Sequence, residues 1–406
     1  MDAVTLSDIE AARDRFDDEA IVRRTPVETS RSLSEMSGAD VRLKMEHLQR
    51  TGSFKTRGAY NKLVQVAERG ETPHVVAASA GNHAQGVALA ATSVGLESTI
   101  VMPTNAPQTK IEATRDYGAS VELYGRDFQA AMSRAQSLAE EPGTLFVHAY
   151  DDPDIVAGQG TLGLEIVEDI PDVDTVIVPI GGGGLIGGIA TAVRGLDPSV
   201  RVVGVQASNA ATVPESLDKG VPVDEENPRT IADGISTGGI SELTLGLIEE
   251  HVDQVVVVSD DEIAAATLVL LERAKQLVEG AGATSVAALL SDDLDVTGEV
   301  AVPLLCGGNI DITQLQTVLT HALTERSQLL QLRVRIEDEE GEMATLSGII
   351  ADQGANIRTV RHDRAVDDLR VGEAYLVFKV VASGTEHAKN VIAAIQRAGY
   401  KVTRVN

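Results

Sequence analysis

A single cysteine, Cys306, stands among 406 residues, which excludes a disulfide framework and any zinc site built from thiolates. No apolar run reaches the roughly 18 residues that a bilayer-crossing helix needs, and the opening stretch MDAVTLSDIE lacks a basic-then-apolar leader. Positive charge is scarce as well. There are 34 Lys and Arg against 61 Asp and Glu, a formal charge of −27, and only nine of the 34 are lysine. Such a surface repels phosphate backbones and anionic lipid, so neither nucleic acid nor a membrane is an expected partner. Acidity that is poor in lysine and spread along the whole chain is what a protein kept soluble in high salt would show. The simplest expectation is a soluble, cytoplasmic protein of halophilic character.

What the chain does contain is enough apolar material for a sizeable core, 43% of residues, so it is neither disordered nor fibrous. At about 150 residues per domain its length suggests two to three domains. Through the first three quarters, short β-rich runs alternate with Ala-rich helical stretches such as 84–94 and 185–194. The predicted strands are 41–46, 75–79, 98–102, 120–124, 144–148, 175–180, 201–205, 254–259 and 300–305. Near-continuous apolar strands separated by helices argue for parallel sheets covered on both faces. Nine strands are many for one core, so two sheets are expected.

The pattern changes after a helix-like stretch at 313–328. Over 330–337, Leu330, Leu332, Val334 and Ile336 alternate with Gln331, Arg333, Arg335 and Glu337, as in a half-buried antiparallel strand. A helix with Leu346, Ile349 and Ile350 on one face follows, closed by Gly354. Strands near 356–364 and 370–381 come next. A second helix places Ala388, Val391, Ile392 and Ile395 at i, i+3, i+4 and i+7 before Gly399. A strand at 401–405 completes a βαββαβ ferredoxin-like order. The expected organisation is a catalytic α/β region at 1–315 with a small subdomain at about 47–148, a linker helix at 316–327, and an appended domain at 328–406.

Four stretches carry candidate chemistry. Gly181, Gly182, Gly183 and Gly184 fall between a strand and the helix beginning at Leu185, where backbone N–H groups and the helix dipole suit an anion. Tight strand–helix packing is the structural alternative. Gly182-x-Gly184-x-x-Gly187 also fits the dinucleotide fingerprint, but the next strand ends in Gln206, Ala207 and Ser208 rather than the acid that holds a ribose. No Gly-Lys-Ser/Thr follows, so this is no nucleotide-triphosphate loop. Lys55, in Thr51-Gly52-Ser53-Phe54-Lys55-Thr56-Arg57-Gly58, is conspicuous in so lysine-poor a chain. A free lysine with pKa about 10.4 is a poor nucleophile at neutral pH and becomes useful when desolvated or held as a Schiff base. A surface lysine at a helix start is the alternative. Ser79-Ala80-Gly81-Asn82-His83 follows a strand and opens a helix whose N–H groups suit a carboxylate; here His83 is either a base or a structural hydrogen-bonder. Cys306-Gly307-Gly308-Asn309 places the lone thiol after an apolar strand, as a nucleophile or as an inert buried group.

Taken in order, Ser-Phe-Lys-x-Arg-Gly-Ala, Ser-Ala-Gly-Asn-His-Ala-Gln-Gly, the tetraglycine run and Cys-Gly-Gly-Asn resemble one family over about residues 15–315. This is the pyridoxal-phosphate enzymes of the tryptophan synthase β-subunit fold, specifically the threonine/serine dehydratases. The tail, with Glu340-Gly341-Glu342, a helix and Gly354-Ala355-Asn356-Ile357, resembles an ACT domain, a small amino-acid-binding regulatory module. The resemblance implies pyridoxal 5′-phosphate as cofactor, carried on Lys55, which also serves as the catalytic base. It implies Phe54 against the pyridine ring, Asn82 on the ring hydroxyl, and Gly181–Gly184 with Leu185 on the phosphate, with Cys306 facing the ring nitrogen. The substrate carboxylate would sit on Ser79, Ala80, Gly81, Asn82 and His83, and an amino-acid effector near Gly341 and Asn356.

The implied reaction is deamination of L-threonine, with L-serine as second substrate, in a homodimer or homotetramer. A serine dehydratase, a racemase of the same fold, and a catalytically dead amino-acid sensor are the competing readings. Racemases of this fold carry Ser where this chain has Ala80, to reprotonate the opposite face. Cation-binding relatives carry Glu and Asp where it has Gln206 and Thr212, so no metal is expected.

Overall fold

The computed structural model describes residues 4–16, 20–225 and 228–405. Its strands run in chain order as β1 (Val27–Thr29), β2 (Asp40–Lys44), β3 (His74–Ala78), β4 (Ser98–Met102), β5 (Ser120–Leu123), β6 (Thr144–Phe146), β7 (Thr175–Pro179), β8 (Arg201–Ala207), β9 (Gln254–Val258), β10 (Val300–Pro303), β11 (Leu329–Glu337), β12 (Asn356–Asp363), β13 (Glu373–Val381) and β14 (Lys401–Arg404). They form three sheets, and the chain divides into two units, Met1–Asp311 and Ile312–Asn406.

The first unit holds two sheets, as the strand count suggests. The larger has the order β1-β2-β10-β7-β8-β9, all parallel except β1, which runs antiparallel to β2. The smaller, β5-β4-β3-β6, is wholly parallel and lies in sequence between β2 and β7. Every predicted strand of this region is present. The addition is β1, a three-residue strand of Val, Glu and Thr, too short and too polar to show a period.

Strands β7 and β8 are buried along almost their whole length, as parallel strands covered by helices must be. Register places Val302 beside Val176 and Pro303 beside Ile177, so β7 and β10 end side by side. The glycine run after β7 and Cys306 after β10 therefore emerge at one sheet edge. In open α/β sheets, this carboxyl edge is where ligands bind.

A buried ionic network ties the lobes together. The Arg57 guanidinium is fully buried and donates to Glu46 Oε1 at 2.8 Å, Glu165 Oε1 at 2.6 Å and the carbonyl oxygen of Arg23 at 3.1 Å. The equally buried Lys44 lies 2.7 Å from Glu165 Oε2 and donates to the Thr25 carbonyl oxygen at 2.7 Å. Here Arg57 belongs to the helix Lys55–Glu68 and Glu165 to the helix Pro153–Asp169, while Lys44 ends β2 and Glu46 opens the short 3-10 turn Glu46–Leu48 after it. Charges taken out of water are tolerable only when paired and hydrogen-bonded in this way.

The second unit opens with the helix Ile312–Glu325. It continues as an antiparallel sheet of order β12-β13-β11-β14 with helices Glu342–Asp352 and Thr385–Arg397, the expected ferredoxin-like arrangement. Leu330, Leu332, Val334 and Ile336 of β11 all face a core that also takes Leu346, Ile350, Phe378, Val391 and Ile395. Burying each such side chain contributes about 1.5–3 kcal/mol, which holds so small a domain together.

Candidate active site

Lys55 opens its helix, and the chain just before it is sewn to the end of β10. Phe54 N–H donates to the Cys306 carbonyl oxygen at 3.3 Å, and Ser53 bridges to Gly307. The Lys55 amine donates to the carbonyl oxygen of Ala149 at 3.0 Å and lies 5.0 Å from the centre of the Phe54 ring. Burial pulls its pKa down to about 8, against the opposing influence of Cys306 and Glu279. This lysine is therefore no surface residue. At neutral pH a useful fraction of it is uncharged, as a nucleophile or base requires.

The Ser79–His83 loop leaves β3 and begins the helix Asn82–Ser93, with Gly81 at the cap position and no side chain capping the first turn. Those first N–H groups are left for another acceptor. Ser79 Oγ accepts from the Gly81 N–H at 3.1 Å, tightening the loop. Asn82 donates to Glu279 Oε1 at 2.7 Å and accepts from Asn309 Nδ2 at 2.7 Å. His83 is buried, donates through Nε2 to the Val147 carbonyl oxygen at 3.0 Å, and has its pKa pushed down to about 3 by burial and by Lys55. A neutral imidazole spent on a backbone carbonyl is a structural group, so of the two readings for His83 the hydrogen-bonding one fits.

After β7 the chain enters the glycine run. Gly183 takes a left-handed conformation at φ +86° and starts the helix Gly184–Leu196 without a side-chain cap. Among the described residues, none accepts a hydrogen bond from the N–H groups of Gly182, Gly183, Gly184 or Leu185. The Tyr150 ring packs closely against the run: a Cβ on Gly182 would meet it at 2.2 Å. The result is a set of open N–H groups of the kind that suits an anion, with an aromatic side chain along one side. Cys306 is buried and burial raises its thiol pKa, so it is a neutral thiol rather than a nucleophile. Gln206, at the end of β8, donates to the Ala210 carbonyl oxygen at 3.3 Å and accepts from the Val213 N–H at 2.8 Å, closing its own loop.

One short segment joins these motifs. Val147 accepts from His83, Ala149 accepts from Lys55, and Tyr150 lies on Gly182. His148 between them accepts the N–H groups of Tyr150 and Asp151 at 3.3 and 2.8 Å, which leaves its Nε2 as the protonated nitrogen, and burial lowers its pKa. Sequence reasoning saw only a strand end here. It also missed Glu279, and it quoted Asn309 without giving it a role. In the second unit, Gly341 caps the helix Glu342–Asp352 at φ +94° and Asn356 begins β12, both exposed.

Comparison with known proteins agrees with this geometry. A family described as pyridoxal-phosphate dependent enzyme matches residues 19–307. An L-threonine ammonia-lyase of Thermotoga maritima is 43% identical over 399 residues, covering 98% of this chain and 99% of its own. The processed form of threonine deaminase isoform 2 from Solanum lycopersicum superposes with a TM-score of 0.74 at 36% identity, covering 78% of this chain and 87% of that one. Maize serine racemase superposes with a TM-score of 0.73 at 33% identity, covering 80% of this chain and all of that one.

Proposed function

The chain belongs to the family of pyridoxal-phosphate-dependent enzymes, and from that membership we propose that it deaminates L-threonine to 2-oxobutanoate and ammonia. The observation that carries this reading is the Lys55 amine, buried and half-neutral near pH 8, in a chain alignable over 98% of its length with an L-threonine ammonia-lyase.

The residues present suit the cofactor. The unpartnered N–H groups of Gly182–Leu185 match a phosphate, the Lys55 amine matches an aldehyde, the Asn82 amide matches a ring hydroxyl, and the neutral Cys306 thiol matches a ring nitrogen. When bound, pyridoxal phosphate supplies the electron sink that makes the substrate α-proton removable. Lys55 takes that proton, an assistance typically worth about 10²–10⁴-fold. Of the Ser79–His83 N–H groups, that of Ser79 is taken by the Val101 carbonyl and that of Gly81 by Ser79 Oγ, so those of Ala80, Asn82 and His83 are the ones to hold the substrate carboxylate at the helix start, and Phe54 supplies an apolar surface beside Lys55. A thiol is a weak hydrogen-bond partner, so Cys306 would not hold a proton on a ring nitrogen placed beside it, a setting that would suit rapid elimination of the hydroxyl over slower exchange chemistry. The enamine so released takes up water to give the 2-oxo acid and ammonia.

L-serine, smaller by one methyl, is the proposed second substrate. The likeness to a serine racemase favours a racemase as the other reading; against it, the Ala80 methyl offers no proton to the opposite face. The proposed division is a catalytic region at 1–315, a linker helix at 316–327 and a regulatory domain at 328–406 that takes an amino-acid effector near Gly341 and Asn356. Exposed sheet edges in such a domain favour pairing between copies, hence a dimer or tetramer. No helix among the described residues is long and apolar enough to cross a membrane, in keeping with a cytoplasmic enzyme.

The test is 2-oxo acid release from L-threonine and L-serine at high salt with added pyridoxal phosphate, comparing the natural chain with Lys55→Ala, each with and without isoleucine. Threonine turnover that vanishes in Lys55→Ala is expected, and an isoleucine effect would assign the second unit its role. A chain that binds the cofactor yet releases no 2-oxo acid would sink the proposal.

A further inference from the structure

The backbone carbonyl of Thr51 can only accept a hydrogen bond, and this orients three side chains in turn. Asn309 Nδ2 donates to the Thr51 oxygen at 2.7 Å, which fixes the direction of the Asn309 amide. The same Nδ2 donates to Asn82 at 2.7 Å, so the Asn82 atom facing it is the oxygen. The Asn82 nitrogen is thereby turned toward Glu279 Oε1, 2.7 Å away.

Space for the relay is cleared by two glycines. A Cβ on Gly307 would sit 2.3 Å from Glu279 Oε1, and one on Gly52 would sit 2.5 Å from Asn309 Oδ1. Glu279 itself immediately precedes the helix Gly280–Leu289, with its N–H donating to the Gly307 carbonyl oxygen at 3.1 Å. The backbone of this one residue therefore grips the motif that carries Cys306 while its side chain holds Asn82 of the Ser79–His83 loop.

We propose that Glu279 is a positioning residue of the cofactor site: it holds one Nδ2 hydrogen of Asn82, so that the second hydrogen, and not the amide oxygen, is what Asn82 offers the ring hydroxyl of bound pyridoxal phosphate. The proposal rests on the reading that Lys55 and Asn82 hold that cofactor. Glu279 has an electrostatic side as well. Its carboxylate favours the protonated state of Lys55, and it disfavours the thiolate of Cys306. Burial raises the pKa of Glu279 itself, the hydrogen bond from Asn82 opposes that, and Lys110 and Asp233 are further charged groups that act on it. Replacing Glu279 by Gln keeps an oxygen to accept from Asn82 and removes the charge, whereas Ala removes both.

The full-length chain, stripped of cofactor, is titrated with pyridoxal phosphate while its visible absorbance is followed across pH. Glu279→Ala is expected to bind about tenfold or more weakly, the loss of a hydrogen bond to a charged group. Glu279→Gln is expected to restore affinity to within about threefold of the natural chain, because the acceptor returns without its charge. The pH midpoint of its lysine-dependent band is expected to fall by about half a unit or more, since a nearby negative charge is gone. Natural affinity in Glu279→Ala overturns the proposal, and so does a Glu279→Gln chain that binds no tighter than Glu279→Ala. Should Glu279→Ala fail to fold, a Glu279→Gln chain that binds about tenfold or more weakly than the natural chain overturns it alone. A natural chain that does not bind the cofactor, or a band that survives Lys55→Ala, sinks the cofactor reading instead, so the two failures are distinguishable.

Discussion

The amine of Lys55 rests 3.0 Å from the carbonyl oxygen of Ala149, a residue that follows β6 and leads out of the smaller sheet. The lysine is thus held by backbone that no side-chain substitution at 149 can remove, and burial sets its protonation by outweighing the opposing influence of Cys306 and Glu279.

That has a kinetic consequence. Only a neutral amine attacks an aldehyde, so the rate at which the cofactor-free chain captures pyridoxal phosphate should rise with pH through a midpoint near 8 rather than 10.5. Stopped-flow absorbance on either side of that midpoint checks it; a midpoint near 10 would contradict the burial argument.

The same lowering has a thermodynamic sign. The folded pKa lies below the unfolded one, so between about 8 and 10.5 the unfolded chain binds more protons and stability rises with pH. Below that window Lys55 is a burden. Cofactor-free Lys55→Met should melt higher than the natural chain at pH 7, by calorimetry, and the gap should close above pH 10.5.

Gly182→Ala would drive a methyl into the Tyr150 ring. Overpacking of this kind typically costs about 1–3 kcal/mol, and here the strain falls on the glycine run. We expect a lower melting temperature and cofactor affinity weakened about tenfold or more. Gly246→Ala is the control. It lies inside the helix Glu242–His251 with open space at its Cβ, and should be neutral or stabilising by up to about 1 kcal/mol.

Arg57→Leu leaves Glu46 and Glu165 buried without their shared cation. Breaking a buried ion pair from one side costs about 3–5 kcal/mol. Urea unfolding should register that loss. Arg69→Ala, at an exposed pair with Glu71, should change nothing measurable.

Ala80→Ser would place a hydroxyl on the loop that opens the helix Asn82–Ser93. Slow formation of D-serine from L-serine, seen by chiral chromatography, is the expected gain. No D-serine would mean that the loop alone does not decide between elimination and racemisation.

Sequence patterning revealed most of the architecture because buried parallel strands announce themselves. Val202, Val203 and Val205 of β8 are all inside, and the strict alternation of β11 marks its one buried face. Only β1 escaped, being three residues whose pairing with β2 is decided by contact rather than period. For the site, Lys55, Asn82 and the glycines stood out because their chemistry requires particular residue types. Ala149 contributes a carbonyl that any residue has, Tyr150 matters through its contact with a glycine, and Glu279 meets Asn82 across 197 positions. No local pattern records such encounters.

The lone thiol offers a last consequence. Cys306 is buried, its thiol is held neutral, and the chain has no other sulfhydryl. A thiol reagent can therefore react only through excursions that expose the end of β10. Its rate is an unengineered stopwatch for the breathing of the site, and its slowing on cofactor addition measures how far occupancy quiets that motion.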